Sequence, residues 1–347
     1  MLTQKQIKEI KEHLDKAQNP VFFFDNDGDG LCSFLLLQRY IKRGRGVSIK
    51  SFPALTLDYF KKVKELNADY IFILDKAEVS KEFFKEVKQT NIPVVWIDHH
   101  TINKKNIPKF VNYYNPIFNK SKSNEPISVL CYQITNKKDD LWLAVVGSIS
   151  DSFLPDFYFD FKKTYPDLSI DSKNTLEIYY NSQIGKIGQI FNSALKDKTT
   201  NVINMLRFLM KVKTPYEVLE ETQKNYTMHK RFNEIDKKYQ RLLEKAKEVA
   251  ENSDKIIFFQ YSGDLSISSD LSNGLRYLFP EKTIVVAYLT GVKANISARG
   301  KNIREMVLKA IKGFDQATGG GHEKAVGARI RIEDLEKFKE RLIKLNN

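Results

Sequence analysis

The sequence predicts an α/β protein: a parallel-sheet domain covered by helices on both sides, joined by a long helix to a smaller mixed-sheet α/β domain. Three observations lead there. The 347 residues are enough for two real cores. Through the first half, short apolar runs rich in β-branched and aromatic residues alternate with segments that carry a charged face. That alternation implies parallel strands buried on both faces, with a helix in each crossover. After Asn252 the strand-like runs come closer together, and a turn signal appears between two of them.

The elements follow in order. The N-terminal "MLTQKQIKEIKEHLDKAQ" is charged throughout and predicts an amphipathic helix instead of a signal peptide. "PVFFFD" (20–25), "VSIKSFP" (47–53), "YIFILD" (70–75) and "PVVWID" (93–98) predict strands, and 57–67 and 79–90 predict helices between them. "LWLAVVGSIS" (141–150) predicts a helix leading to Asp151, and 152–200 reads as mostly helical. An apolar stripe at spacings of four and three, Met228, Phe232, Ile235, Tyr239, Leu242, Ala246 and Val249, predicts one long helix starting near Pro215. Beyond it, 255–262, 283–291, 292–300 and 325–332 read as strands, with "TG" at 290–291 as a hairpin turn. The segments 270–279, 302–311 and 332–345 read as helices. The expected division is 1–200 for the first domain, 201–252 for the helical connector and 253–347 for the second domain.

The formal net charge of +13 makes polyanions natural partners, although a lysine-rich surface also serves simply to solvate a protein. Cys32 and Cys131 lie far apart among apolar residues, which excludes a disulfide framework and a cysteine zinc site and points to a reducing, cytoplasmic setting. No apolar run approaches the roughly 20 residues that span a bilayer.

Three of the four first-half strand runs end on an aspartate, Asp25, Asp75 and Asp98, where open α/β sheets place their ligands. "FFFDNDGDG" adds Asp27 and Asp29, interleaved with glycines that let the backbone turn sharply. Alone this motif also fits a polar turn; a calcium loop is disfavoured because Leu36 stands where the glutamate is required. "VVWIDHH" then places His99 and His100 beside the third strand end, and Asp151 closes "VVGSISD". A single aspartate at such a place is ordinarily a helix cap. Several with an imidazole form a mixed O/N donor set suited to two divalent cations, Mn²⁺ first, with Mg²⁺, Co²⁺ or Zn²⁺ as substitutes.

"DNDGDG", "ILD", "IDHH" and "GSISD", in this order, resemble the motifs of the DHH phosphoesterase family, and "TGGGHEKAVGARI" resembles the glycine-rich signature of its associated C-terminal domain. The resemblance spans essentially the whole chain and is nearest to RecJ-like single-strand exonucleases of the compact archaeal type. It implies Asp27, Asp29, Asp75, His99 and Asp151 as metal ligands, with Asp75 bridging two ions and Asp25 as a ligand or a partner of one. Asp98 is expected to orient His99, and His100 to meet the scissile phosphate. Gly319, Gly320, Gly321 and His322 are expected to grip a phosphate, with Arg299 as a bidentate contact. Lys293, Lys301, Arg304 and Lys324 would extend the basic track.

The expected activity is stepwise hydrolysis of single-stranded DNA or RNA to mononucleotides. A phosphodiesterase for short oligonucleotides or cyclic dinucleotides, an inactive replication scaffold and a pyrophosphatase are the rivals. Bacterial RecJ proteins carry further nucleic-acid-binding modules that this length does not accommodate, so a replication or repair partner is expected to supply grip on long strands.

Overall fold

The structure, a computed structural model, describes residues 1–51 and 54–346. They form two compact units, Met1–Phe232 and Asn233–Asn347. The first begins α1 (Gln4–Lys16), β1 (Pro20–Asp25), α2 (Gly28–Ile41), β2 (Arg45–Ile49), β3 (Ala54–Leu55), α3 (Phe60–Glu65) and β4 (Tyr70–Leu74). It continues through β5 (Glu78–Val79), α4 (Lys81–Thr90), β6 (Val94–Ile97), β7 (Val111–Tyr114), α5 (Ile127–Thr135) and α6 (Leu141–Ser150). Helices α7 (Tyr158–Thr164), α8 (Thr175–Asn181), α9 (Gln183–Ala194), α10 (Thr199–Leu209) and α11 (Tyr216–Leu219) follow, and the two units divide within α12 (Tyr226–Glu251).

The four predicted strands and β7 form a fully parallel sheet in the order β2-β1-β4-β6-β7, with β3 and β5 paired as a separate short ladder. Alternate residues feed two cores. Phe22, Phe24, Phe72, Leu74, Val95 and Ile97 face one side, where α2, α5, α6 and α9 pack. Val21, Phe23, Ile71, Ile73, Val94 and Trp96 face the other, where α3 and α4 pack. This two-sided burial is why the strands read as continuous apolar runs. The aromatic rings stack across strand and helix, Phe24 on Phe34 at 5.2 Å and Phe22 on Phe72 at 4.9 Å between centroids. Each buried phenylalanine contributes roughly 1.5–3 kcal/mol by leaving water.

Three expectations change. The sheet has a fifth strand, β7, from "VNYY"; its half-buried edge position leaves Asn112 and Tyr113 partly exposed and breaks the apolar run that marks the others. The run 47–53 is strand only to Ile49, and its end, Phe52 and Pro53, lies outside the described residues. The long helix starts at Tyr226, not near Pro215. Buried Asn225 accepts from the Thr222 N–H and donates to the Glu217 and Glu220 carbonyls, closing a turn that ends α11 before α12 can begin.

The second unit holds β8 (Ile256–Ser262), α13 (Ser268–Leu278), β9 (Thr283–Thr290), β10 (Lys293–Arg299), α14 (Ile303–Ile311), β11 (Thr318–His322), β12 (Ala325–Arg331) and α15 (Leu335–Asn346). Its sheet runs β11-β12-β10-β9-β8 and is mixed, with β8 parallel to β9 and the other pairs antiparallel. One face packs on α14 and α15, through Val307 and Phe338; the other packs on α12 and α13, through Ala246, Leu271 and Leu275. "TGGGH" forms the edge strand β11.

Among the described residues no helix is long and apolar enough to cross a membrane.

Candidate metal centre

The strand order reverses direction of growth between β1 and β4, and the carboxyl ends on either side of such a switch point form the crevice where open α/β sheets bind ligands. Asp25 ends β1 and Asp75 follows β4 there. Asp75 adopts a left-handed backbone, φ +57°, that turns the chain sharply off the sheet. Its N–H donates to the Ile97 carbonyl, so the turn is anchored to β6. The next pair, Asp98 and His99, is buried directly beyond β6.

The glycine-spaced acids are placed by α2. Asp27 is its N-cap and accepts from the Gly30 N–H at 2.9 Å. Glycine is obligatory at 30, because a Cβ would stand 2.4 Å from the Asp25 carbonyl oxygen. Asp29, buried in the first turn, meets the start of α5: it accepts from the Ile127 N–H at 2.7 Å, the Ser128 N–H at 2.9 Å and the Ser128 hydroxyl. A carboxylate at a helix N-terminus is held by both its hydrogen bonds and the peptide dipoles. Asp151 is the C-terminal cap of α6.

Around His99 the carboxylates of Asp75, Asp151 and Asp29 converge. Its Nε2 lies 3.3 Å from Asp75 Oδ1 and 3.9 Å from Asp151 Oδ2. Ligand atoms of Asp29, His99 and Asp151 all lie within 4.8 Å of one another, and so do those of Asp75, Asp98 and His100. Burial of like charges follows. Asp75 has its pKa raised well above the usual range, first by burial and then by Asp29 and Asp27, with His100 opposing. Asp27 is pushed up to about 7 by the protein crowded round it, then by Asp25 and Asp29; its residue surface still reaches solvent, which relieves part of that repulsion.

His100 is fixed by a polar chain. Its Nδ1 lies 2.7 Å from Asp98 Oδ1, and the Tyr113 hydroxyl donates to Asp98 Oδ2 at 3.0 Å. Asn115 donates to the His100 carbonyl at 3.0 Å and to the Tyr113 oxygen at 2.8 Å. Burial disfavours the imidazolium, but the hydrogen bond and charge of Asp98 outweigh it and raise the His100 pKa. Asp98 therefore holds His100, not His99 as the sequence led us to expect: the two rings stand edge to face, 4.7 Å apart, and it is the second that turns toward the carboxylate.

Asp25 departs from the others. Lys76, buried directly after Asp75, places its Nζ 2.9 Å from Asp25 Oδ1. Lys76, Ser128, Tyr113 and Asn115 belong to none of the sequence motifs that point to the site. Only Lys76 had a local signal, an ammonium beside the aspartate of "ILDK".

In the second unit Arg299 ends β10 and is clamped to α13, donating from Nε to Asn273 Oδ1 at 2.6 Å and from an Nη to Ser269 Oγ at 3.0 Å. His322 ends β11, half-buried. Gly321, at φ +137°, admits no other residue easily, since a Cβ would meet the Ala325 carbonyl oxygen at 2.5 Å. Gly320 has open space where a side chain would be. Lys293, Lys301, Arg304 and Lys324 are exposed.

The first unit's donors fit a divalent cation. Asp75 Oδ1 is sealed from water and accepts no hydrogen bond, an arrangement that costs free energy unless a cation satisfies it. Carboxylates that repel one another beside an imidazole are the donor chemistry of Mn²⁺ and its neighbours.

Residues 21–144 match the model of the DHH family, N-terminal domain. No curated protein sequence matches. Among solved structures, the chain is similar to RecJ in complex with Mn²⁺ from Thermus thermophilus, at 15% identity and TM-score 0.70 over 97% of this chain and 53% of that one. It thus spans about half the length of that protein. An exonuclease RecJ bound to manganese is similar at 15% identity and TM-score 0.64, over 97% of this chain and 92% of that one. CDC45 from Entamoeba histolytica is similar at 11% identity and TM-score 0.57, over 98% of each chain. At these identities the likeness is one of fold.

Proposed function

From a RecJ-like DHH fold whose first unit carries the DHH family's N-terminal domain, we propose that this protein is a metal-dependent phosphodiesterase that degrades single-stranded DNA or RNA from an end, releasing mononucleotides. The observation that carries the reading is the meeting of Asp75, His99 and Asp151 at the switch point, with Asp75 Oδ1 buried and without a hydrogen bond. Asp27, Asp29, Asp75, His99 and Asp151 would hold two divalent ions, Mn²⁺ by preference. When bound, such ions make water nucleophilic near neutral pH and offset charge developing on the phosphate.

The chain's own residues do the rest. Asp98 fixes the tautomer and orientation of His100 through Nδ1 and favours its protonated form, so His100 serves as a hydrogen-bond donor to an anionic phosphoryl oxygen. Arg299, held in place by Ser269 and Asn273, offers a guanidinium that matches a phosphate bidentately. The backbone of Gly319 to Gly321, with His322, provides N–H groups that a phosphate can approach closely. An unpaired strand suits these contacts because its phosphates are free to bend toward them. The basic balance of the chain favours a nucleic acid over a small anion such as pyrophosphate, and a replication or repair protein as partner would add grip on long strands.

End-labelled DNA and RNA strands digested by the purified protein, with each metal in turn, test the reading. We expect Mn²⁺-dependent mononucleotide release and, for Asp75→Ala, loss of at least about 10³-fold in turnover with the fold retained. Retained activity in that variant overturns the assigned centre. A strong preference for dinucleotides redirects the substrate to short oligonucleotides, and failure to bind or turn over anything with Mn²⁺ leaves the scaffold.

A further inference from the structure

The ion pair between Lys76 and Asp25 sets this centre apart from a simple ring of carboxylates. The Lys76 side chain is only 3% exposed, so its ammonium cannot reach a bound strand. It is nonetheless held at several points. Nζ donates to Asp25 Oδ1 at 2.9 Å and to the Ser51 carbonyl at 3.0 Å, and the Trp96 indole N–H donates to the Lys76 carbonyl at 2.9 Å. Asp25 Oδ1 also accepts from the Asn26 N–H at 2.9 Å. The left-handed turn at Asp75 directs the chain so that the residue after it crosses from the end of β4 to the end of β1. A lysine is taken out of water in this way only where a fixed negative partner repays the desolvation.

We propose that Lys76 is a built-in cation: its ammonium engages Asp25 and withholds it from the metal shell, leaving the divalent site to Asp27, Asp29, Asp75, His99 and Asp151. The inference rests on the proposed metal centre, and of the two roles the sequence offered Asp25, ligand or partner of one, it sets aside the first. One carboxylate of the cluster is neutralised permanently, so the cluster's net negative charge, and with it the pull on divalent ions, is held down. Lys76 and Asp25 are positioning residues that act on the metal through charge and do not touch substrate.

Mn²⁺ titration followed by calorimetry, with electron paramagnetic resonance counting free Mn²⁺, tests this without any nuclease assay. Lys76→Met keeps the buried stem and removes the charge; Asp25 is released, and we expect Mn²⁺ affinity to tighten about tenfold, or one more ion to bind per chain. Asp25→Asn with Lys76→Met removes both partners together and is the variant most secure in folding. Its Mn²⁺ affinity should stay within about threefold of the parent, while Asp75→Asn loses it. Unchanged or weakened affinity in a folded Lys76→Met protein, or a double variant that loses Mn²⁺ as Asp75→Asn does, overturns the inference and leaves the metal centre standing. A parent protein that binds no Mn²⁺ overturns both.

Discussion

Asp98 and Asp75 are both buried aspartates beyond strand ends, yet their surroundings assign them opposite tasks. Asp98 is satisfied on both oxygens by His100 and Tyr113, whereas Asp75 has one oxygen with no hydrogen-bond partner and other carboxylates nearby. Asp98→Asn should therefore reduce turnover about 10- to 100-fold through misoriented His100, with Mn²⁺ affinity nearly unchanged; a matched loss of metal by titration would contradict it. Asp75→Asn should lose Mn²⁺ affinity and turnover together and also stabilise the metal-free protein. The sign follows from proton counting. Asp75 and Asp27 titrate higher in the folded chain than the 3.8 of a free carboxyl, so the folded form binds more protons above that pH. Their contribution to stability is complete below pH about 4 and is lost as pH rises through about 7 for Asp27 and beyond for Asp75. Melting in EDTA should show the Asp75→Asn advantage growing by about 2 °C or more between about pH 5.5 and about pH 8. An advantage that shrinks over that interval would refute the assignment of Asp75 as a strained acid.

At the scale of elements, the first turn of α2 joins fold and site. Gly30 packs against the Asp25 backbone, Asp27 caps the helix, and Asp29 leaves it to bind α5. Gly30→Ala should cost about 2 kcal/mol or more, read as a lowered midpoint in urea, and weaken Mn²⁺ binding more than it weakens the fold. This turn was legible beforehand because the acids and glycines share one short motif at the end of an unmistakable strand. The strand ends carrying Asp75 and Asp98 were legible for the same reason: two buried faces make a run whose end is easy to see. What stayed hidden lacked that contrast. β7 carries polar residues on its edge, and the break at Asn225 is made by a side chain folding back on distant carbonyls, with no proline or glycine to announce it. The three glycines of β11 suggest a loop, and only pairing with β12 makes them a strand. The sequence assigned Asp98 to the wrong ring because a side chain's direction beyond a strand end is fixed here by Tyr113, on the strand that the sequence did not reveal, and by Asn115 just beyond it.

For the whole molecule, the formal charge of +13 predicts how a strand is held. If about five phosphates are neutralised, the log–log dependence of affinity on salt has a slope near about −3.5, so doubling KCl weakens binding about tenfold. Fluorescence anisotropy with a labelled single-stranded oligonucleotide and the non-cleaving Asp75→Ala protein measures it; a slope near zero would remove the backbone from the recognition. The clamp on Asp29 has its own consequence for biogenesis. The N–H groups that receive this carboxylate arrive 98 and 99 positions later, and Asp151 later still. A nascent chain that has emerged only as far as His100 therefore displays most of the acids without the helix that arranges them. For the proposed centre, ion capture would then belong to the end of this unit's maturation, and a ribosome-tethered fragment ending before α5 should bind no Mn²⁺ in titration.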